Sequence, residues 1–304
     1  MNSGTILALS LAVGVAYSLV GVGFRLGACG KVAPAQITCS YCVAGMALFG
    51  WRSLGEWGAA DLRVWLIGAL LGLSQYAVVK LIKYAIPRGP MSPIWCAVML
   101  NFVAGILYAA LFCGERLSWY QIAAILAGIA AVVNSSAETG ESDGKNAAIR
   151  RGYGWLLAAI LIASGATAVG FKLAGSSFDA GGLPLSESCG NALLFLLHLF
   201  LLIPTLIDLT LAHDWQLRTR FFYYATLLAA AGSLTGTGLE MALMTAPAAL
   251  VFTMTSSASI LAGALVYTLA FREKRTPRWY GTLALTLAAI LLSNGESLWR
   301  ASGA

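Results

Sequence analysis

Apolar residues dominate the chain in long runs separated by short polar punctuation. A helix needs about 20 such residues to cross the hydrocarbon core of a bilayer. Runs of that kind fall near 4–26, 33–52, 62–87, 90–113 and 118–136, and again near 153–174, 185–211, 221–246, 247–271 and 277–297. The pattern predicts an all-α polytopic membrane protein with ten transmembrane helices. Pro87-Arg88-Gly89-Pro90 closes one predicted hairpin and Ala246-Pro247 another. Ser118, and Thr276 followed by Pro277, read as hydroxyl N-caps opening the fifth and tenth runs. Met1-Asn2-Ser3-Gly4 places no basic residue before the first run, which is therefore expected to be a membrane helix and not a cleaved signal peptide.

The two sets of runs repeat each other. Val22-Gly23-Phe24-Arg25-Leu26 closes the first run and Val169-Gly170-Phe171-Lys172-Leu173 the sixth. Pro34 and Pro184 open the next run in each set, with Cys39 and Cys189 five residues on. Gly105 and Gly263 each precede a glutamate, Glu115 and Glu273, by ten residues. This ordered series divides the chain into a first five-helix repeat over 1–137, a polar linker over 138–152 and a second repeat over 153–304. Because five is odd, the second copy must enter the bilayer from the opposite side. That gives an inverted-topology repeat, the plan of many secondary transporters.

Composition agrees with this reading and excludes the alternatives. Of 304 residues, 59% are hydrophobic and 11% charged, whereas soluble domains carry about 25% charged residues. A pair of soluble domains is excluded. Fourteen of the nineteen lysines and arginines lie in the odd-numbered loops or the helix ends beside them. The positive-inside rule then puts those loops in the cytoplasm and both termini outside. This asymmetry accounts for the net charge of +6 without a nucleic-acid partner. Cys39-Ser-Tyr-Cys42 lies inside an apolar run, where cysteine serves as a small hydrophobe. Gly21-Val-Gly23 lacks the preceding strand that a nucleotide loop requires. Neither a cofactor nor a metal is implied.

Two segments carry a family resemblance: Gly114-Glu115-Arg116-Leu117-Ser118-Trp119-Tyr120-Gln121 ahead of the fifth run, and Arg272-Glu273-Lys274-Arg275-Thr276 ahead of the tenth. With the Phe24-Arg25-Leu26 and Phe171-Lys172-Leu173 helix ends, they make the chain resemble the drug/metabolite transporter superfamily in its ten-helix EamA-type branch. It differs at Ser40-Tyr41, where members often carry an aromatic-basic pair, and in the outside termini. The resemblance implies transport of metabolites such as amino acids, sugars or drug-like compounds, with the bacterial inner membrane as the setting.

Candidate site residues come from polar side chains within the apolar runs, where an ionisable group costs about 2.5 kcal/mol or more. Tyr76, Lys80 and Lys83 share one helical face, as do Ser233, Thr237 and Glu240. Lys80 and Glu240 occupy equivalent repeat positions at different depths, and are expected to be opposite rims of one cavity. Glu187 is a further rim candidate. Tyr17, Gln75, Trp95, Asn101, Thr255, Ser256 and Ser259 are expected to line a midplane pocket, with helix–helix bonding as the competing role for the hydroxyls. Glu115 and Glu273 read as packing residues, and the Ala123–Ala131 stripe of small residues as a close-packing face. The function expected is secondary transport of a small polar organic solute, coupled to the solute gradient, a proton or another ion. An integral-membrane enzyme or a receptor/scaffold is the alternative. Cysteines placed at Ser3 and Ser302 in a chain lacking its own six cysteines should react with an impermeant thiol reagent from outside the cell. Labelling only from the cytoplasm would reverse the orientation.

Overall fold

A computed structural model describes residues 3–89, 91–115, 117–137, 152–212, 220–246, 248–272 and 277–293, and these are helical almost throughout. Helix α1 is Ser3–Cys29, α2 Pro34–Arg52, α3 Leu62–Ala85, α4 Met91–Met99, α5 Phe102–Phe112 and α6 Trp119–Ala137. Then follow α7 at Tyr153–Ser176, α8 at Leu185–Ser188, α9 at Gly190–Leu211, α10 at Arg220–Leu243, α11 at Ala248–Leu269 and α12 at Pro277–Ser293. A helix satisfies its backbone polar groups within one segment, as hydrocarbon surroundings demand. Among the described residues, six stretches are long and apolar enough to cross a membrane: Gly4–Cys29, Leu62–Ala85, Met91–Phe112, Tyr153–Ser176, Gly190–Leu211 and Val251–Leu269. The expected turn residues Pro90 and Pro247, most of the linker, and the 273–276 segment with Glu273 and Thr276 lie outside the described residues.

Two predicted runs are interrupted. In 90–113 the helical bonding tightens to i→i+3 spacing: Asn101 N–H donates to Val98 O at 3.3 Å and Val103 N–H to Leu100 O at 3.1 Å. The run therefore divides into α4 and α5 at Leu100-Asn101, a local form often found at hinges and sites. In 185–211 the backbone turns out of the helix at Cys189 (φ −132°, ψ 24°), which leaves α8 as a single turn before α9.

Helix starts follow the side chains available. Ser118 and Gln121 cap each other ahead of α6: Gln121 N–H donates to Ser118 Oγ at 3.3 Å, and Ser118 N–H to Gln121 Oε1 at 2.9 Å. Asp61 caps α3 by accepting from the Arg63 and Val64 N–H groups. Its carboxyl is held below the usual range by hydrogen bonding to the Arg63 side chain, chiefly, and to these backbone groups.

Helix α1 packs on α10 and α11, α3 on α7 and α9, and α2 on α9 and α10. Helices α4 and α5 pack on α7 and α11, and α6 packs on α12. Trp95, midway along α4, bonds to Ser259, just past the middle of α11. Gly105 in α5 meets Phe252 near the start of α11. The α4–α5 path and α11 therefore run antiparallel.

Helix α1 is held at backbone distance from its neighbours by glycine. A Cβ at Gly14 would lie 2.3 Å from Thr255 O, and one at Gly232 in α10 would lie 2.4 Å from Ala16 O. Only small residues permit such an approach. Gly232→Leu is expected to lower stability by about 1–3 kcal/mol or more through overpacking. Gly58→Ala, where an added Cβ meets nothing within 4 Å, should change it little. Parallel thermal unfolding in one detergent checks both.

Candidate functional site

The cavity at the centre of the bundle is built where mid-helix positions from both parts of the chain converge. The space between its atoms, including the part open to solvent, is about 700 Å³. Tyr17 and Phe24 enter from α1, Tyr41 from α2, Gln75 and Val79 from α3, and Trp95 from α4. Asn101 faces it from the break between α4 and α5. Ser164, Thr167 and Phe171 come from α7, Leu197 and Leu201 from α9, and Ser233, Thr237 and Glu240 from α10. Glu240 alone of these lining groups carries a formal charge. The side-chain amides of Gln75 and Asn101 make no hydrogen bond to another described residue, so their donors and acceptors are available to the cavity.

Glu240 is 4% exposed. The Tyr17 hydroxyl donates to its Oε2, joining α1 to α10 at the cavity wall. No described lysine or arginine lines this space. His198 on α9 lies behind it, fully buried, with its ring centroid 6.5 Å from that of Tyr41 and 5.4 Å from that of Phe49. Its Nδ1 lies 2.7 Å from Leu194 O, and a carbonyl only accepts, so Nδ1 carries the hydrogen.

Two further cavities, of about 710 and 890 Å³, lie at opposite ends of α2 and α9. One joins the start of α2 at Ala35, the end of α3 at Lys80, Lys83 and Tyr84, and the end of α9 at Thr205 and Asp208. The other joins the end of α2 at Phe49 and Arg52, the start of α9 at Gly190 and Asn191, and the end of α10 at Leu239 and Ala242. Helices α2 and α9 thus run antiparallel, as do α3 and α10.

This arrangement corrects the expectation for Lys80. Lys80 and Glu240 do not line one cavity. Lys80 is drawn to the end of α3 by Asp208 across α9, with Nζ to Oδ2 at 3.1 Å. Tyr76 bridges them, donating to Asp208 at 2.5 Å and accepting from Lys80 at 2.9 Å. Asp208 was not singled out from the sequence. The available signal was an acidic residue near the end of an apolar run, on the predicted side of Lys80.

Tyr17, Gln75, Trp95 and Asn101 line the central cavity, while the three hydroxyl candidates on α11 are elsewhere. Thr255 donates to Ser10 O at 3.3 Å, and Ser259 accepts from Trp95 Nε1 at 3.0 Å. Ser256 is buried without reaching the cavity. Helix α11 presents this face to α1 and α4, so its hydroxyls serve between helices. Glu187 is exposed on α8 and borders the cavity at the α9 start. The break at Cys189 separates it from Asn191, whose amide instead donates to Glu56 at 2.5 Å. Glu56 also accepts from the Ala192 N–H at 2.8 Å and so caps α9 from the α2–α3 connection. Cys39 and Cys42 are buried and free.

Glu115, expected to be a packing residue, has an ionic partner. It lies 2.6 Å from Lys172 Nζ, with the lysine side chain 7% exposed. Lys172 also donates to Ala246 O at 3.5 Å, linking the ends of α5, α7 and α10.

No protein-family profile matches the sequence, and no curated protein matches it. Among solved structures, one described only as "Crystal structure of protein" has the same overall fold, with a TM-score of 0.71 at 14% identity. The likeness covers 97% of this chain and 98% of that one. At that identity it concerns the fold alone.

Glu115→Gln leaves Lys172 charged, buried and unpaired, and should destabilise the chain by about 3–5 kcal/mol. Adding Lys172→Met should recover most of that loss. Thermal unfolding of the single and double variants reads the difference, and an undisturbed single variant would contradict the assignment.

Proposed function

We propose that the chain is a secondary transporter that moves a small polar organic solute by alternating access. The observation that carries this reading is the central cavity, with one buried carboxylate and two amides that bond to no other described residue, set between two cavities at opposite ends of the same helices. A solute that binds at the middle needs a path to each end, and the cavities at the ends of α2 and α9 supply the start of both.

We infer further that the fold is ten membrane helices in two inverted five-helix repeats, of the EamA type. The pairing of helices supports this. Treat α4 with α5, and α8 with α9, as single broken spans and exchange the two parts of the chain. The contact of α1 with α10 then becomes that of α7 with α3, and α2 with α10 becomes α9 with α3. The α2–α9 and α6–α12 contacts map onto themselves. The antiparallel course of α2 against α9, and of α4–α5 against α11, is what inversion requires. A bundle of this symmetry has two related packings of nearly equal energy, each opening one end cavity toward the centre. Coupling to a proton is supported by Glu240, the one carboxyl group among the described residues that line the cavity.

Solute uptake and counterflow in proteoliposomes, screened against a metabolite library, tests the reading. In Glu240→Gln, turnover should fall by about tenfold or more while thermal unfolding changes little, because the amide oxygen can still accept from Tyr17 and the removed carboxylate has no buried counter-ion. Lys80→Met should slow turnover less, since Lys80 lies at an end cavity. Wild-type turnover in Glu240→Gln would remove the central cavity from the path.

A further inference from the structure

We propose that the central cavity takes an organic ammonium ion, and that this ion and a proton occupy the Glu240 carboxylate in turn. The inference rests on the transport reading for its direction across the membrane, but the site itself stands on the geometry.

A carboxylate buried at this depth cannot stay ionised without compensation. Tyr17 supplies a hydroxyl hydrogen but no positive charge. Among the described residues, no cation lines the cavity. The charge must therefore be compensated by something that arrives: a proton on the carboxyl group, or a cation brought by the ligand. An anionic ligand would meet the carboxylate with no lysine or arginine to hold it. A ligand without charge would leave the proton where it is.

The walls narrow the choice. Tyr17, at the carboxylate, and Tyr41, Trp95 and Phe171 elsewhere on the lining give the cavity aromatic surface. Ring faces attract a desolvated ammonium and also accept an apolar body. An inorganic cation of small radius would instead require several oxygen ligands; of the hydroxyls lining the cavity, Ser164 is bonded to Leu161 O, Thr167 to Ser74 and Thr237 to Ser233 O. Gln75 and Asn101 remain to bond a polar substituent elsewhere on the ligand.

Other titratable groups near α10 do not provide the charge. Tyr17 on α1 donates to Glu240, and Tyr41, Cys39 and Cys42 on α2 are neutral as acids. His198 on α9 is buried against Tyr41, Phe49 and the backbone of Gly45. Lys172 on α7 is taken by Glu115, and Glu187 on α8 borders the outer cavity. Glu240 thus alternates between two states. In one the carboxyl O–H bond is intact. In the other that bond has broken, the proton has left to the open side, and the ammonium ion is paired with the carboxylate. Exchange of one proton for one monovalent cation leaves the net charge of the cavity unchanged.

Calorimetric titration of the full-length chain in bilayer discs tests this, using benzyltrimethylammonium, phenethylamine and choline as probes. 2-Phenylethanol and 3-phenylpropanoate are the neutral and anionic controls. At least one ammonium probe should bind about a hundredfold more tightly than either control. Titration in buffers of different ionisation enthalpy should show about one proton released per cation bound, with affinity for the permanently charged probe rising up to about tenfold per pH unit. Glu240→Asp should keep this behaviour and Glu240→Gln should lose it. If the Gln variant fails to fold, the wild-type contrast between probes decides alone. The proposal is overturned if no ammonium probe binds, if a control binds as well, if no proton is released, or if Glu240→Gln retains the cation. Proteoliposomes that carry some other solute while every ammonium probe fails would leave transport standing and remove this ligand class. Cation binding with proton release, in a chain that moves nothing across the vesicle, would leave the site standing and remove transport.

Discussion

An ionisable side chain inside a low-dielectric bundle needs a partner, and three partnerships among the described residues tie this chain together at its centre and at its ends. Lys172 is paired with Glu115, Lys80 with Asp208, and Glu240 with the hydroxyl of Tyr17. Each joins a helix of the first part of the chain to one of the second. The Tyr17–Glu240 bond constrains the rest most closely, because it requires α1 and α10 to meet at the level of the cavity. The glycines at 14 and 232 allow that approach by removing the side chains that would hold α1 off its neighbours. Once α1 is seated, Phe24 and Tyr17 form one wall of the cavity, and α11 is left to bond with its hydroxyls behind them.

The helices were legible because apolar run length is a local property, and hydrocarbon leaves the backbone no other choice than closed hydrogen bonding. The capping pair at Ser118 and Gln121 was legible for the same reason, being separated by three residues. Glu240 could be placed in the cavity from Ser233, Thr237 and its own position on one helical face. Contacts between distant segments were another matter. Asp208 meets Lys80 across 128 residues, and Trp95 meets Ser259 across 164. Thr255 and Ser259 lie on a face as polar as that of Glu240. Every side of a packed helix in a bundle meets something, so periodicity separates faces without saying which neighbour each one faces. The break at Asn101 was hidden for a related reason. Neither proline nor glycine marks it, and the surrounding sequence is as apolar as that of an unbroken helix.

The ends of the bundle are tied with different strength, and this bears on how such a molecule would open. At the α9 start, Glu56 accepts from Asn191 and from the α9 backbone, and nearby Lys172 is buried against Glu115 and bonded to Ala246 O. Opening there would strip a buried lysine of its carboxylate, which is costly unless both partners reach water together. At the α9 end the tie is Lys80 with Asp208, whose side chains are 41% and 35% exposed. Water already reaches that pair, and solvent-facing ion pairs contribute about 1 kcal/mol or less. Parting α3 from α9 there leaves two groups that water can solvate and a Tyr76 hydroxyl that can stay with either. Val79 lines both the central cavity and the cavity at this end, so the wall between them is thin along α3. Under the transport reading, the packing described here therefore opens first at the Lys80–Asp208 end. The opposite end follows only when Glu56 lets go of α9 and Lys172 and Glu115 separate into a hydrated space.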